Sequence, residues 1–414
     1  MESPPNAPAS PSVPETSPRS VAAVGLSRLG WLDALRGLAA LVVVFDHASY
    51  TFMADFRREL MPQFNTSRYG IMVFFLVSGY IIPASLERRG SIRTFWTGRF
   101  FRMYPLWAAA VTALIATHLM GLARLPDLGG HSAATVAVAH ATMLQELLGA
   151  PNLLLTLWTL SYEMAFYLLV VALFTIRRHR QSAALAVTLA VLAAVSVAAH
   201  TVLRPSALSG TVGTGTSVAV AAIAMAVAVC CASAGSPVLR RFGGVLGGGL
   251  ALVLVVFNGT VPTWEGLVIL AVMFLGTAVY RADRQQTSRR LATGTAVVVI
   301  TCAVGSAYRF GDGDHFTRRG WITAFVLAVL TFGAALALRH RRFPRPLTAL
   351  GTISYSVYLV HPVLLAVIDH TVGRQQRDSP VLLAAFFLVL LPLCALTHRY
   401  IEAPSQDWGR GCAR

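Results

Sequence analysis

Apolar runs of about 20 residues, divided by short polar and basic stretches, recur from residue 33 to residue 400. A run of that length is what an α-helix needs to cross the hydrocarbon core of a bilayer. The pattern predicts spans near 33–54, 69–86, 103–123, 152–176, 182–203, 212–232, 243–258, 264–281, 291–308, 320–338, 348–369 and 380–400. A shorter apolar segment, 135–148, reads as re-entrant or interfacial. The runs 243–258 and 264–281 are the weakest, being short and separated by a small loop. Residues 1–27 are rich in Pro and Ser and too poor in large apolar residues to pack, so they read as a disordered tail without the apolar core of a cleavable signal. Residues 28–404 are then the membrane domain and 405–414 a short C-terminal tail. The expected fold is all-α: a polytopic membrane helix bundle of about 10–12 transmembrane helices, with no stretch left over for a soluble domain.

Composition agrees. The 414 residues are 55% hydrophobic and 13% charged, about half the charge share of a soluble domain. A net charge of +16 would suggest nucleic acid in a soluble protein. Here the charges lie between apolar runs, so topology accounts for them and no nucleic-acid partner is expected. All 34 basic residues are Arg, a usage that points to a GC-rich bacterial genome and hence to a bacterial inner membrane. With the N-terminus cytoplasmic, 24 of the 34 Arg fall on the inner side and 10 outside. That is the positive-inside bias, and it puts both termini in the cytoplasm. The five cysteines lie mostly in apolar runs with neither metal nor disulfide spacing, so no metal site is expected.

Against this apolar background the ionisable positions stand out, because a charged or titrating group inside a membrane helix is costly and marks function by default. The first span carries Asp33, Arg36, Asp46 and His47. Arg36 and His47 are eleven residues apart, about three turns, which places them on one face roughly 16 Å apart along the axis. Counting from the span ends brings His47, Glu163 and His361 to similar depth near the bilayer middle. Ser354, Tyr358 and His361 recur at i, i+4 and i+7, a polar face on one helix. Each has a plainer reading: a buried His can be a helix–helix hydrogen bond, and Glu163 the partner of a buried Arg. The inner segment 87–102, read as a loop, is the densest basic and aromatic stretch. It is either a topogenic anchor or a phosphate site in which Arg99 and Arg102 grip a polyphosphate. Ser78-Gly79 reads as a packing notch. Glu402 precedes Pro404, which is expected to end the last helix.

Taken together these pieces resemble the acyltransferase 3 family of integral membrane O-acyltransferases, in order along nearly the whole chain. The residues that carry the resemblance are Leu32, Asp33, Arg36, Gly37 and Ala39, with His47 eleven residues after Arg36, and the block Phe74 to Tyr80. They continue with Arg99, Arg102, Tyr104 and Pro105; Trp158, Leu160, Glu163, Phe166 and Tyr167; Ser354, Tyr355, Tyr358, Leu359 and His361; and Glu402 with Pro404. Any one block is weak, but seven in order are specific. The resemblance implies a core of about ten helices and transfer of an acyl group from acyl-CoA to a hydroxyl, usually on a sugar. Acyl-CoA is then a substrate, with no permanently bound cofactor, and the acceptor a hydroxylated, sugar-containing molecule such as a macrolide or an envelope glycan.

On that reading His47 is the general base, with a transient acyl-His as the alternative. Arg36 helps place the CoA or balances Asp33, and Glu163 orients His47 or holds the acceptor hydroxyl. Arg99 and Arg102, with Arg36, bind acyl-CoA, while Asp33, Ser78, Tyr358 and His361 form an acceptor or structural polar site. No Gly-x-Ser-x-Gly surrounds a candidate serine, which argues against an acyl-Ser route. The competing class is a proton-coupled transporter built on the His/Glu cluster. Against it, the two halves show no internal repeat and the motifs crowd into residues 30–170.

Overall fold

The computed structural model describes residues 30–198, 204–313 and 317–412. The expected tail 1–27 lies outside the described residues, as do 199–203 of the fifth expected span and 413–414. Every expected span is a helix or a pair of helices. They are α1 (Gly30–Phe52), α2 (Thr66–Arg89), α3 (Ile92–Leu119), α4 (Trp158–Thr175), α5 (Ser182–Ala198), α6 (Thr214–Ala232) and α7 (Pro237–Phe257). Then come α8 (Thr263–Asp283), α9 (Arg289–Phe310), α10 (Arg318–Ala337), α11 (Arg345–Thr352), α12 (Ser354–Thr371) and α13 (Pro380–Thr397). Among the described residues ten helices are long and apolar enough to cross a membrane, eleven if α11 and α12, bent by 71°, count as one span. α1 has the length, 23 residues, but carries three charged side chains and buries most of its surface inside the bundle.

α8, one of the two weakest runs in the sequence, is the central helix. Every residue from Thr263 to Ala278 is buried. A helix enclosed on all sides has no polar face to betray its period, so its sequence shows only a short apolar run. It reaches its neighbours through glycine. A Cβ on Gly79 of α2 would lie 1.9 Å from the Met273 carbonyl oxygen, and one on Gly276 would lie 2.4 Å from that of Leu76. The expected packing notch at Gly79 is therefore the α2–α8 crossing, and the Thr277 hydroxyl seals it by donating to the Gly79 carbonyl at 2.8 Å. Small residues let membrane helices touch backbone to backbone in this way.

Two boundaries differ from expectation. The segment 87–102 is not a loop: α2 runs to Arg89, Gly90 takes φ 65°, and α3 starts at Ile92 with the Ser91 side chain accepting from the Thr94 N–H. Arg99 and Arg102 thus ride on a helix of 28 residues, long enough to extend beyond the bilayer. Nor does Pro404 end the last helix. His398–Glu402 form a π-helical turn that leads into a helix, Ala403–Cys412. The π turn shifts the hydrogen-bond register, with the Ala403 N–H bonding the His398 carbonyl five residues back, and the helix runs on through Pro404. That helix packs on α3, with Gly409 against Phe101, so residues 405–412 are not a free tail.

The short apolar segment 135–148 forms a helix, Ala133–Ala141, and a 3-10 turn, Gln145–Leu148. Its buried irregular backbone is satisfied by side chains. Asn258 donates to the Leu147 carbonyl at 2.9 Å and Ser209 to that of Leu148 at 2.9 Å. Non-helical backbone at such depth is tolerated only on these terms.

Candidate active site

The two membrane histidines meet. His47 on α1 and His361 on α12 meet edge to edge and nearly coplanar, ring centroids 5.2 Å apart and planes within 16°, with His47 Nδ1 2.9 Å from His361 Nε2. His361 Nδ1 lies 2.7 Å from the Val357 carbonyl oxygen, which can only accept, so Nδ1 carries a proton. In a neutral His361 the Nε2 is then an acceptor, and the proton between the rings belongs to His47 Nδ1. The remaining nitrogen of His47, Nε2, is left as a bare lone pair, and no described residue bonds to it. Second-neighbour contacts fix the tautomer of an imidazole in just this manner.

A proline holds His361 in place. Pro362 has no N–H for the Tyr358 carbonyl one turn earlier, which would leave a buried acceptor empty. The Thr156 hydroxyl takes it at 3.2 Å. The Tyr358 hydroxyl in turn sits 2.6 Å from Thr159 Oγ1 and donates to the Thr156 carbonyl at 3.1 Å. These bonds pin the irregular turn of α12 to the head of α4.

Asp46, beside His47, faces away from it and has its own partners. Its Oδ1 accepts from Thr66 at 2.6 Å and from Arg57 Nη1 at 3.1 Å. Arg57 also bonds the Asp46 carbonyl and Ser49, and its guanidinium lies 3.3 Å above the Tyr50 ring. The carboxylate therefore clamps the short helix Ala54–Leu60 and the start of α2 to the end of α1.

His47 lines a vestibule of about 1030 Å³ at the end of the bundle where α1 finishes. Five arginines line it: Arg57, Arg58, Arg68, Arg124 and Arg374. They are half of the ten that the sequence assigns to the outer side. Four have carboxylate partners, among them Arg68 with Glu265 at 2.6 Å and Arg374 with Asp369 at 2.9 Å. Glu265, buried in the first turn of α8, also accepts from the Trp321 indole at 2.9 Å. Arg68 lies 5.1 Å from the Trp158 ring, which faces the same vestibule.

At the opposite end a narrow slot of about 70 Å³ is lined by Arg36, Ser78, Arg102, Glu163, Ser354 and Tyr358 among others. Six residues singled out in the sequence for their chemistry thus line one cavity. Glu163 belongs here and not to the imidazole pair: its carboxylate accepts from Tyr167 at 2.5 Å, while His361 orients His47. Arg36 pairs loosely with Asp33 at 3.8 Å. Arg99 is buried, sandwiched 5.2 Å from the Phe95 ring and 5.1 Å from that of Tyr167, and does not line the slot. Sequence reasoning missed Arg57, Thr66, Arg68, Thr156 and Thr159. Their one visible signal was the placement of Arg57 and Arg68 on the Arg-poor side.

A membrane-embedded helical bundle with an imidazole pair between a vestibule and a slot defines the class of protein. The chain belongs to the acyltransferase 3 family, whose model, described as an acyltransferase domain, matches residues 29–399. It is similar to Acyltransferase MdmB of Streptomyces mycarofaciens, 35% identical over 148 residues, covering 34% of this chain and 38% of that protein. It is also similar to Nodulation protein 10 of Rhizobium leguminosarum bv. viciae, 28% identical over 185 residues, covering 41% of this chain and 50% of the relative. The chain thus spans half or less of the length of the curated relatives it matches. No solved structure matches it. Family and helices together make it a multi-pass membrane protein.

Proposed function

We propose that this protein transfers an acyl group from acyl-CoA to a hydroxyl of a sugar-bearing acceptor, with His47 as general base. The observation that carries the reading is the bare Nε2 of His47, held in one tautomer by His361, on the wall of a cavity large enough for a small acceptor. The acceptor binds in the vestibule. Its O–H proton passes to His47 Nε2 as the oxygen attacks the thioester carbonyl. Collapse of the tetrahedral intermediate breaks the C–S bond, and the imidazolium returns the proton to the departing sulfur. Throughout, Nδ1–H stays on His361.

The donor occupies the slot. From CoA sulfur to the first phosphate oxygen is twelve bonds, roughly 14 Å when extended. Arg36 lies about 16 Å along α1 from His47, so a thioester at His47 brings its phosphates to Arg36 and Arg102. The Arg-rich end of the bundle is then cytoplasmic, where CoA resides, and both termini and the mouth of the slot lie on that side of a bacterial inner membrane. One of the two relatives is itself named an acyltransferase, which agrees with acyl transfer.

The test is release of free CoA by the purified protein given acyl-CoA and candidate glycosylated acceptors. Wild type should release it, and His47→Ala should stop it while leaving the melting temperature unchanged. Full turnover by His47→Ala sinks the base assignment. Uptake of solute without CoA release would make the protein a proton-coupled carrier instead.

A further inference from the structure

Ser354 is the first residue of α12, and its side chain is an anomaly. The residue is 1% exposed, it lines the slot, and no described residue bonds to its hydroxyl. A serine inside a helix bundle ordinarily returns its O–H to a carbonyl of its own helix, as Ser306 does to Cys302 at 2.7 Å. A buried polar group without a partner is costly. Ser356, two residues on, is satisfied by Glu402 at 2.7 Å. Ser354 alone on this turn is left facing a cavity.

Resting on the acyl-CoA reading above, we infer that Ser354 hydrogen-bonds the distal amide of the pantetheine arm and so selects CoA thioesters over shorter ones. Distance supports this amide over the proximal one. Ser354 and His361 are seven residues apart on α12, about 10 Å along the axis. Because His361 is in direct contact with His47, Nε2 2.9 Å from its Nδ1, that is also roughly the depth difference between Ser354 and the reacting centre. Along extended pantetheine, the distal amide nitrogen is eight bonds from the thioester carbon, roughly 9 Å, and the proximal one only four bonds, roughly 4.5 Å. Tyr358, one turn above Ser354, has its hydroxyl committed to Thr159 and Thr156 and cannot do this work. A hydroxyl suits an amide because it can donate to the carbonyl or accept from the N–H.

The experiment is a binding cycle on the whole protein in detergent, read by calorimetry. The probes are CoA and a CoA analogue in which two methylene groups replace the distal amide; the variants are wild type and Ser354→Ala. Ser354→Ala should weaken CoA about three- to tenfold, one neutral hydrogen bond's worth, and leave the analogue's Kd unchanged. An equal loss for both ligands means that Ser354 only shapes the slot, and no loss for either means that it faces no amide; each result overturns the inference while acyl-CoA binding stands. Failure of wild type to bind CoA at all removes the donor assignment as well. A normal analogue Kd also reports that Ser354→Ala has folded.

Discussion

His47 Nδ1 points at His361 Nε2 across 2.9 Å, and His361 is itself tied to the Val357 carbonyl. The second imidazole has no opening of its own, being wholly buried, and on the proposed mechanism it sets the proton on its neighbour. His361→Phe keeps a ring in the buried site and removes the acceptor nitrogen that faces His47. We expect kcat to fall roughly 10- to 100-fold, as when the partner of another functional imidazole is lost, with both KM values within twofold of wild type. His47→Ala should cost more, about 10²- to 10⁴-fold. Steady-state CoA release measures both, and an unchanged kcat in His361→Phe would show that the tautomer of His47 does not matter.

The clamp at Asp46 makes a separate prediction about stability. Asp46 is 2% exposed and Arg57 nearly enclosed, so removing one member strands a charge or a cluster of donors. Asp46→Ala should destabilise by about 3–5 kcal/mol, the usual penalty for breaking a buried pair. Thr66→Val, which removes one hydrogen bond to the same carboxylate, should cost about 1 kcal/mol. Denaturant or thermal unfolding in detergent gives both values, and the sum should fail to add in the double variant because the sites share a partner.

What the sequence made legible, and what it did not, follows from the range of each signal. The spans were readable because hydrophobic thickness imposes a length, and His47, Glu163 and His361 because charge in an apolar run is rare. Contacts between helices have no such local trace. Glu163 and His361 sit at similar expected depth, yet one faces the slot and the other His47, and only packing decides which. The partner of Asp46 leaves no trace in its own span because that cation, Arg57, lies beyond the end of the helix. Segment 87–102 read as a loop because arginine density mimics a connection, whereas a capped helix start carries the same residues.

Arg99 and Arg102, read as one motif in the sequence, should separate under mutation. Arg102 lines the slot, so Arg102→Ala should raise the KM for acyl-CoA at least tenfold and leave that for the acceptor unchanged. Arg99 lies between two aromatic faces and outside the slot lining. Arg99→Leu should mainly lower stability, by about 1–2 kcal/mol for the lost cation–π contacts, with a smaller change in KM. Equal KM effects would mean that both guanidiniums reach the donor.

Gly351 offers the sharpest test of how the slot is held open. A Cβ there would lie 1.9 Å from the Asp33 carbonyl oxygen, where ordinary contact begins at 3.4 Å, so α11 and α1 would have to part by about 1.5 Å. A Cβ on the facing glycine, Gly37, would lie 2.3 Å from the Leu347 carbonyl oxygen, which makes the crossing backbone on backbone from both sides. Gly351 precedes Ser354 by three residues and Asp33 precedes Arg36 by three, so the displacement falls on the slot and not on the vestibule. Gly351→Ala should destabilise by about 1–3 kcal/mol, the cost of overpacking, and raise the KM for acyl-CoA while sparing that for the acceptor. Gly294→Ala on α9 and Gly333→Ala on α10, where a Cβ meets nothing within 4 Å, should be neutral or stabilising by up to about 1 kcal/mol. If Gly351→Ala behaves like these two controls in melting temperature and KM, then α1 and α11 are not in backbone contact and the mouth of the slot is held by something else.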